Sequence, residues 1–256
     1  MLARHRDPRV TPVELWDVVV DGAPLYAAPR DATYGRALAR AVEALRDGEA
    51  ACESATPLPE ACRRVDRVVL AGGAAGHVRW DSSRVPAVCA PEPERCAERG
   101  GLAVLAGARG LVVDLGQSRL KILAGDGRRW SSPRDLAAIP ISTRPVDGAG
   151  RAALIAFVAA GLRAAAGAGC ERIVMALPCE IAPDGALGTC SYPWGAGEPI
   201  VEAFLAAAGL GAVPTLLVND AELAAIGVAE DGVAPGVTLV LTLGFGVGGA
   251  LVERAA

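Results

Sequence analysis

The chain has almost no lysine. Among its 25 lysine and arginine residues Lys121 is the only lysine, which hints that this position wants an ammonium, although a solvated strand end accounts for a single lysine equally well. Histidine is nearly as scarce: His5 and His77 are the only two, and each reads as a surface or loop residue in preference to a ligand. The seven cysteines, Cys52, Cys62, Cys89, Cys96, Cys170, Cys179 and Cys190, are odd in number and include no C-x-x-C pair. That argues against both a disulfide framework and a zinc site. They read as reduced thiols, with Cys179 and Cys190 as small packing residues. Long apolar runs are also missing. Although 52% of the residues are hydrophobic, Gly, Pro or charge interrupts each stretch before it reaches bilayer length, so neither a span nor a membrane partner is expected. Met1 to Thr11 carries Arg4, His5, Arg6 and Arg9 without a following apolar core or a small-residue cleavage site. No signal peptide is read there, and a cytoplasmic location is expected. A net charge of −4, with the arginines scattered instead of forming one stripe, gives no field for nucleic acid. Small-molecule chemistry is the better default.

What is there is the composition of a folded protein, long enough for one large core or two small ones with a cleft between lobes. Trp16 to Val20 and Pro24 to Ala28 flank the turn dipeptide Asp21-Gly22 and predict a hairpin. Ala37, Leu38, Ala41, Val42 and Leu45 have helical spacing within Asp31 to Arg46, and Gly48 stands ready to cap that helix. Val65 to Ala71 is a β-rich run entering Gly72-Gly73, Pro86 to Pro93 is a proline-rich connection, and Glu94 to Arg109 is a helix with a glycine break. Leu111 to Asp114, Leu120 to Ala124 and a third strand after Asp126-Gly127 form a β-meander. Helix Gly148 to Ala166, strand Arg172 to Leu177, helix Glu198 to Ala208, strand Thr215 to Val218, helix Asp220 to Ala229 and strand Thr238 to Leu243 then alternate. That alternation predicts an α/β fold, a sheet covered by helices.

Four segments carry chemistry. Asp114-Leu115-Gly116-Gln117-Ser118-Arg119-Leu120-Lys121 is a carboxylate at a strand end, a glycine turn and a return strand; such a turn can cradle phosphate while Asp114 holds Mg²⁺ directly or through water. An ordinary hairpin with an Asx turn is the competing reading. Leu241 to Ala250 repeats the strand, turn and strand pattern around Gly244, Gly246, Gly248 and Gly249, letting backbone approach a ligand closely. In Val218-Asn219-Asp220-Ala221-Glu222 a buried strand stops and a helix begins. Asp220 there suits a helix cap, and equally a general base at the carboxyl end of a strand. Val68 to Gly73 ends on glycines that could let an adenine or α-phosphate lie against the backbone, without the G-x-G-x-x-G spacing of a dinucleotide loop.

Together these segments resemble the ROK family of sugar kinases, within the hexokinase/actin-like/chaperone-ATPase superfamily, continuously from about Gly110 to Val252. Asp114 to Lys121 looks like the family's first phosphate motif and Leu241 to Ala250 like its second. Between them Ala176-Leu177-Pro178, Gly185, Trp194 and Val218-Asn219-Asp220-Ala221 follow the family's order. The resemblance implies Asp220 as catalytic base, Asn219 on the substrate's hydroxyls, and Pro178 and Trp194 at the substrate loop. Asp66 to Gly73 and Glu94 to Ala108 resemble the adenosine-contacting segment and closing helix that come last in the family. Here they come first, which implies a circularly permuted, two-lobed, ribonuclease-H-like fold. Its expected lobes are residues 1–109 completed by 233–256, and residues 110–232. Departures are Phe245, where the family usually has a small hydroxyl residue, Gln117 in place of glycine or threonine, and no counterpart of the family's glutamate/histidine and zinc boxes.

The resemblance therefore implies ATP-dependent phosphoryl transfer to a hydroxyl of a sugar or polyol-like molecule, with Mg-ATP in the cleft between lobes. Asp114, Gly116, Gln117, Ser118, Lys121, Gly244, Phe245, Gly246, Gly248, Gly72 and Gly73 are the expected nucleotide and Mg²⁺ contacts. The alternatives are a non-catalytic ligand sensor or scaffold, and an ATPase acting on a partner. No helix-turn-helix precedes the kinase-like part, so a repressor role is not expected. A homodimer is left open.

Overall fold

The computed structural model describes residues 1–15, 17–28, 30, 31, 33–53, 57–141, 148–167, 169–188, 190–244 and 246–255. It is an α/β protein of two compact units, unit 1 being Met1–Arg6 with Gly101–Leu223 and unit 2 being Asp7–Gly100 with Ala224–Ala256. The division differs from the expected 109/110 and 232/233 boundaries because it falls inside two helices, and because the first six residues join unit 1.

In unit 1 the chain supplies β1 (Leu2–Arg4), β7 (Gly110–Leu115), β8 (Arg119–Ala124), β9 (Arg129–Pro133), β10 (Arg172–Leu177) and β11 (Thr215–Asn219), in the sheet order β1-β11-β10-β7-β8-β9. The meander β7-β8-β9 is antiparallel, whereas β7, β10, β11 and β1 run parallel. Central parallel strands are buried on both faces and so must be apolar throughout. Val112, Val113, Ile173, Val174 and Met175 are accordingly buried, and polar residues appear at the carboxyl ends, Asp114 on β7 and Asn219 on β11. Helix α3 (Gly148–Ala165) packs on β8, β9 and α4 (Ile200–Ala208). The ring of Trp130 on β9 lies so close to Gly161 that a Cβ there would stand 2.6 Å from it.

Unit 2 holds β2 (Val10–Val13), the hairpin β3 (Val19–Val20) and β4 (Ala23–Pro24), β5 (Val65–Ala71), β6 (Ala87–Cys89), β12 (Gly236–Leu243) and β13 (Val247–Arg254). Its main sheet has the order β2-β13-β12-β5-β6, with β2, β13 and β12 antiparallel and β12, β5 and β6 parallel. The Asp21-Gly22 turn is present with left-handed φ of 53° and 80°, as its residue types require. Helix α1 (Tyr34–Asp47) buries Leu38, Ala41, Val42 and Leu45 and ends on Gly48 at φ 73°, the left-handed cap that glycine favours.

Three expectations shift. The second hairpin arm is only Ala23–Pro24, and a 3₁₀ turn at Leu25–Ala27 takes most of the expected strand Pro24 to Ala28. Helix α2 spans Cys96–Leu105, shorter than Glu94 to Arg109. A 3₁₀ turn at Pro93–Arg95 precedes it, and Ala106 and Gly107 in the left-handed region end it. The proline-rich connection contains β6, which needs only three residues because β5 is there to pair with it.

Helix α5 (Asp220–Glu230) approaches α2 through Gly227, where a Cβ would fall 2.0 Å from the Cys96 carbonyl oxygen. Backbone cannot yield as a flexible side chain does, so Gly227→Ala should cost about 1–3 kcal/mol. Gly76→Ala, where a Cβ meets nothing within 4 Å, should cost far less. Urea denaturation of the two variants checks this, and equal midpoints would contradict the packing.

Candidate functional site

The first phosphate-like segment is the turn from β7 to β8. Asp114 and Lys121 face each other in the register of these strands, and Lys121 Nζ lies 3.3 Å from Asp114 Oδ2. The single lysine is thus the cross-strand partner of the carboxylate. Both side chains keep some solvent access, so the pair is a modest contributor to stability.

Three consecutive carbonyls of this turn are captured. Tyr192 Oη donates to Gly116 O at 2.7 Å, Arg134 Nη1 donates to Gln117 O at 3.1 Å, and the Arg134 backbone N–H donates to Ser118 O at 2.9 Å. Arg134 is 5% exposed. It also donates through Nε to Ile139 O and through Nη2 to Pro140 O and Ser191 O, and its guanidinium sits 3.9 Å from the Tyr192 ring centroid. Burial lowers the guanidinium from its ordinary value and pushes the Tyr192 phenol up, so Tyr192 stays a proton donor. Neither residue figures among the expected site residues. The Tyr192-Pro193-Trp194 run was the available signal for Tyr192; for Arg134 there was none, because its acceptors are carbonyls of separate loops.

Asp114 and Asn219 occupy strands separated only by β10. Ala176 pairs with both Asp114 and Val218, and Leu177 pairs with Asn219. Two strand spacings place these carboxyl ends about 10 Å apart. Pro178 follows β10 between them and is half-buried. Asp220 opens α5, but the capping belongs to Asn219: its Oδ1 accepts from Ala221 N at 2.9 Å and Glu222 N at 3.4 Å, while Glu222 Oε2 accepts from Asn219 N at 3.4 Å. This is a capping box, legible as N-x-x-E in the sequence. Asn219 Nδ2 also donates to Cys179 O at 3.0 Å, so the amide expected on substrate hydroxyls is engaged within the fold. Asp220 Oδ1 accepts from Ala221 N at 2.8 Å. Trp194 lies in the core, 1% exposed, stacked on Tyr192 at 5.4 Å with its Nε1 donating to Gly188 O. It shapes the loop from inside.

Unit 2 assembles the remaining glycines. The second turn joins β12 to β13, with Gly244 N donating to Gly246 O at 3.1 Å and Gly248 paired to Thr242; Phe245 lies outside the described residues. Gly72 follows the neighbouring parallel strand β5 at φ 87°, and a Cβ on it would fall 2.3 Å from Leu243 O. Only glycine fits there. Ala74 N donates to Leu243 O at 3.0 Å, and exposed Arg30, 5.1 Å from the Tyr34 ring centroid, donates to Gly244 O. Gly73 and Gly244 have no atom within 4 Å of a Cβ position, an open surface on this turn.

A cavity of about 660 Å³ in unit 1, lined by Met1, Asp184, Leu187, Glu198, Glu202 and Leu205 among others, contains none of the expected site residues. Asp114, Pro178 and Asn219-Asp220 lie at the strand ends instead. Among the described residues no group of three or more His, Cys, Asp or Glu side chains could hold a metal by itself. Mg²⁺ keeps several waters and binds through one or two carboxylates plus substrate phosphates, so Asp114 fits that mode. A Cβ on Gly116 would stand 3.1 Å from the Arg119 carbonyl oxygen and 3.7 Å from Asp114 Oδ1, so the turn is tight there and glycine keeps the backbone close to the carboxylate. No protein-family model matches the chain, and a search of curated proteins finds no significant match.

Arg4, on β1, contacts both carboxylate oxygens of Glu222 through Nη2 at 2.9 Å, with the two side chains 7% and 6% exposed. Removing one partner of such a pair strands a buried charge. Arg4→Met should cost about 3 kcal/mol, and adding Glu222→Leu should recover part of it. Denaturant titration of the two single variants and the double checks this; additive losses would contradict a coupled pair at the start of α5.

Proposed function

We propose that the chain is an ATP-dependent kinase for a hydroxyl of a sugar or polyol-like small molecule, on a circularly permuted ribonuclease-H-like, actin-like ATPase fold similar to that of ROK sugar kinases. The observation that carries the reading is the convergence of Asp114 and Asp220 at the carboxyl ends of parallel strands flanking β10, where α/β sheets bind ligands. The strand orders support the permutation. Unit 1 has three antiparallel strands followed by parallel ones in the order β9-β8-β7-β10-β11-β1, and unit 2 shares this arrangement, without a counterpart of β1, as β2-β13-β12-β5-β6. In unit 1 the antiparallel three are consecutive in the chain; in unit 2 the third, β2, is near the N-terminus and the first two are near the C-terminus.

Phosphoryl transfer needs positioned groups and neutralised charge more than covalent chemistry. Capture of the Gly116, Gln117 and Ser118 carbonyls by Tyr192 and Arg134 turns their lone pairs onto protein donors, which lessens their repulsion of a phosphate. Lys121 adds positive charge, and Asp114 is the residue that would hold Mg²⁺. When bound, the ion neutralises charge on the phosphates. Asp220 accepts the proton of the acceptor hydroxyl as its oxygen bonds to the terminal phosphorus, and ADP leaves with the bridging oxygen. Gly72, Gly73, Gly244, Gly246 and Gly248 give unit 2 the backbone access that nucleotide binding calls for.

A second reading, a non-catalytic ligand sensor, is favoured by the engaged amide of Asn219 and the burial of Trp194. ADP release measured against a panel of sugars, polyols and no acceptor separates the two. The kinase reading expects acceptor-dependent release in the parent and a loss of about 10²-fold to 10⁴-fold in Asp220→Asn. Melting and nucleotide affinity should change little, since Asn219 holds the cap. Undiminished turnover in the variant would remove Asp220 as base, and no turnover with any acceptor would favour the sensor. Release without an acceptor would favour an ATPase.

A further inference from the structure

Arg30 belongs to no sequence motif; it lies in unit 2, in the stretch that leads from the β3–β4 hairpin to α1. Its side chain is exposed, yet it is held from two sides: Nη1 donates to Gly244 O at 3.2 Å, and Cζ lies 5.1 Å from the centroid of the Tyr34 ring. Tyr34 opens α1 and is 6% exposed, so the ring under the guanidinium is anchored in the core. No carboxylate among the described residues pairs with Arg30. Its neighbour Asp31 spends Oδ1 on Thr33 N at 2.7 Å and on Thr33 Oγ1 at 2.6 Å. An arginine carries five N–H donors. Gly244 O is the one acceptor that Arg30 meets among the described residues, and the rest of its fork is left to solvent. The backbone around it has the same character. Leu243 O accepts from Ala74 N at 3.0 Å, and a Cβ on Gly72 would fall 2.3 Å from that same oxygen, so the Gly72-Gly73-Ala74 bend is seated against the β12–β13 turn. The N–H groups of Gly73, inside that bend, and of Gly246, just past Gly244, have no acceptor among the described residues. Cβ positions on Gly73 and Gly244 meet nothing within 4 Å.

We propose that Arg30 binds a phosphate of the nucleotide at the β12–β13 turn, with the Gly73 and Gly246 N–H groups completing the contact, within the nucleotide site of the kinase reading on which this role rests. A guanidinium without a carboxylate, next to free backbone donors on an open turn, is a donor set for an oxyanion, because phosphate oxygens only accept and the planar fork meets two of them at once. Unit 2 contains no lysine, so its permanently charged side chains of positive sign are arginines. The hydrogen bond to Gly244 O and the ring of Tyr34 restrict the Arg30 side chain before a ligand arrives, which leaves less freedom to lose on binding. Arg30 thereby supplies the positive charge that a turn made of glycines lacks.

Titration calorimetry of Mg-ADP into the full chain, as parent and as Arg30→Gln, Arg30→Lys and Arg30→Ala, tests the assignment. Glutamine keeps an N–H donor for Gly244 O and removes the charge, whereas lysine keeps the charge and removes the planar fork. Affinity should fall about tenfold in Arg30→Gln and Arg30→Ala, with Arg30→Lys between them and the parent. Inorganic pyrophosphate, which carries no base or ribose, should displace ADP from the parent and lose about the same factor in Arg30→Gln. All three variants should melt with the parent when no nucleotide is present, since the side chain is exposed. Equal ADP affinity in the parent and every variant would overturn the role of Arg30 and leave the nucleotide site standing. Parental affinity in Arg30→Gln but not in Arg30→Ala would also overturn it, by reducing Arg30 to a support for Gly244. Pyrophosphate that fails to displace ADP, or that competes equally in the parent and Arg30→Gln, would do the same. No binding of ADP to the parent would end both this role and the kinase reading.

Discussion

Unit 1 is organised by the need to keep polar groups out of strands that are buried on both faces. β7, β10 and β11 are sealed along their length, so a carboxylate can stand only where they end. Asp114, Pro178 and Asn219-Asp220 are therefore brought to one edge by the register of three parallel strands, without any of them being near another in sequence. The Arg4–Glu222 pair and the Asn219–Glu222 capping box then fix where α5 begins, and with it the position of Asp220.

The two glycine turns follow a common physical logic although their donors differ. On the proposed reading, a turn that takes a phosphate must keep its own carbonyl oxygens occupied. In unit 1 buried Arg134 and Tyr192 do this, and in unit 2 the carbonyls of Leu243 and Gly244 are held by Ala74 N and Arg30. Arg134 is an expensive residue to bury, and burial lowers its pKa. Carbonyls from four positions, together with the face of Tyr192, offset that cost.

Legibility in the sequence tracked how local each feature is. β5 and β10 span the expected Val65–Ala71 and Arg172–Leu177, because short β-rich runs bounded by turn residues carry their own ends. β1 exists because Leu2 meets Thr215, and β6 because Ala87 meets Val68; nothing in three residues announces a partner so distant. Asp114 and Asp220 stood out as carboxylates at strand ends, whereas Arg134 was invisible because its acceptors are backbone oxygens. The Asn219–Glu222 box was legible in its spacing, yet Asp220 drew the capping role by residue type alone.

Binding of Mg-ADP to the full chain, followed by titration calorimetry in parent and Asp114→Asn, tests the central claim most directly. The account predicts saturable binding that requires Mg²⁺ in the parent and is weakened about tenfold or more, roughly 1.4 kcal/mol, in Asp114→Asn. Absence of binding, or binding indifferent to both Mg²⁺ and the substitution, would contradict a nucleotide site at the end of β7.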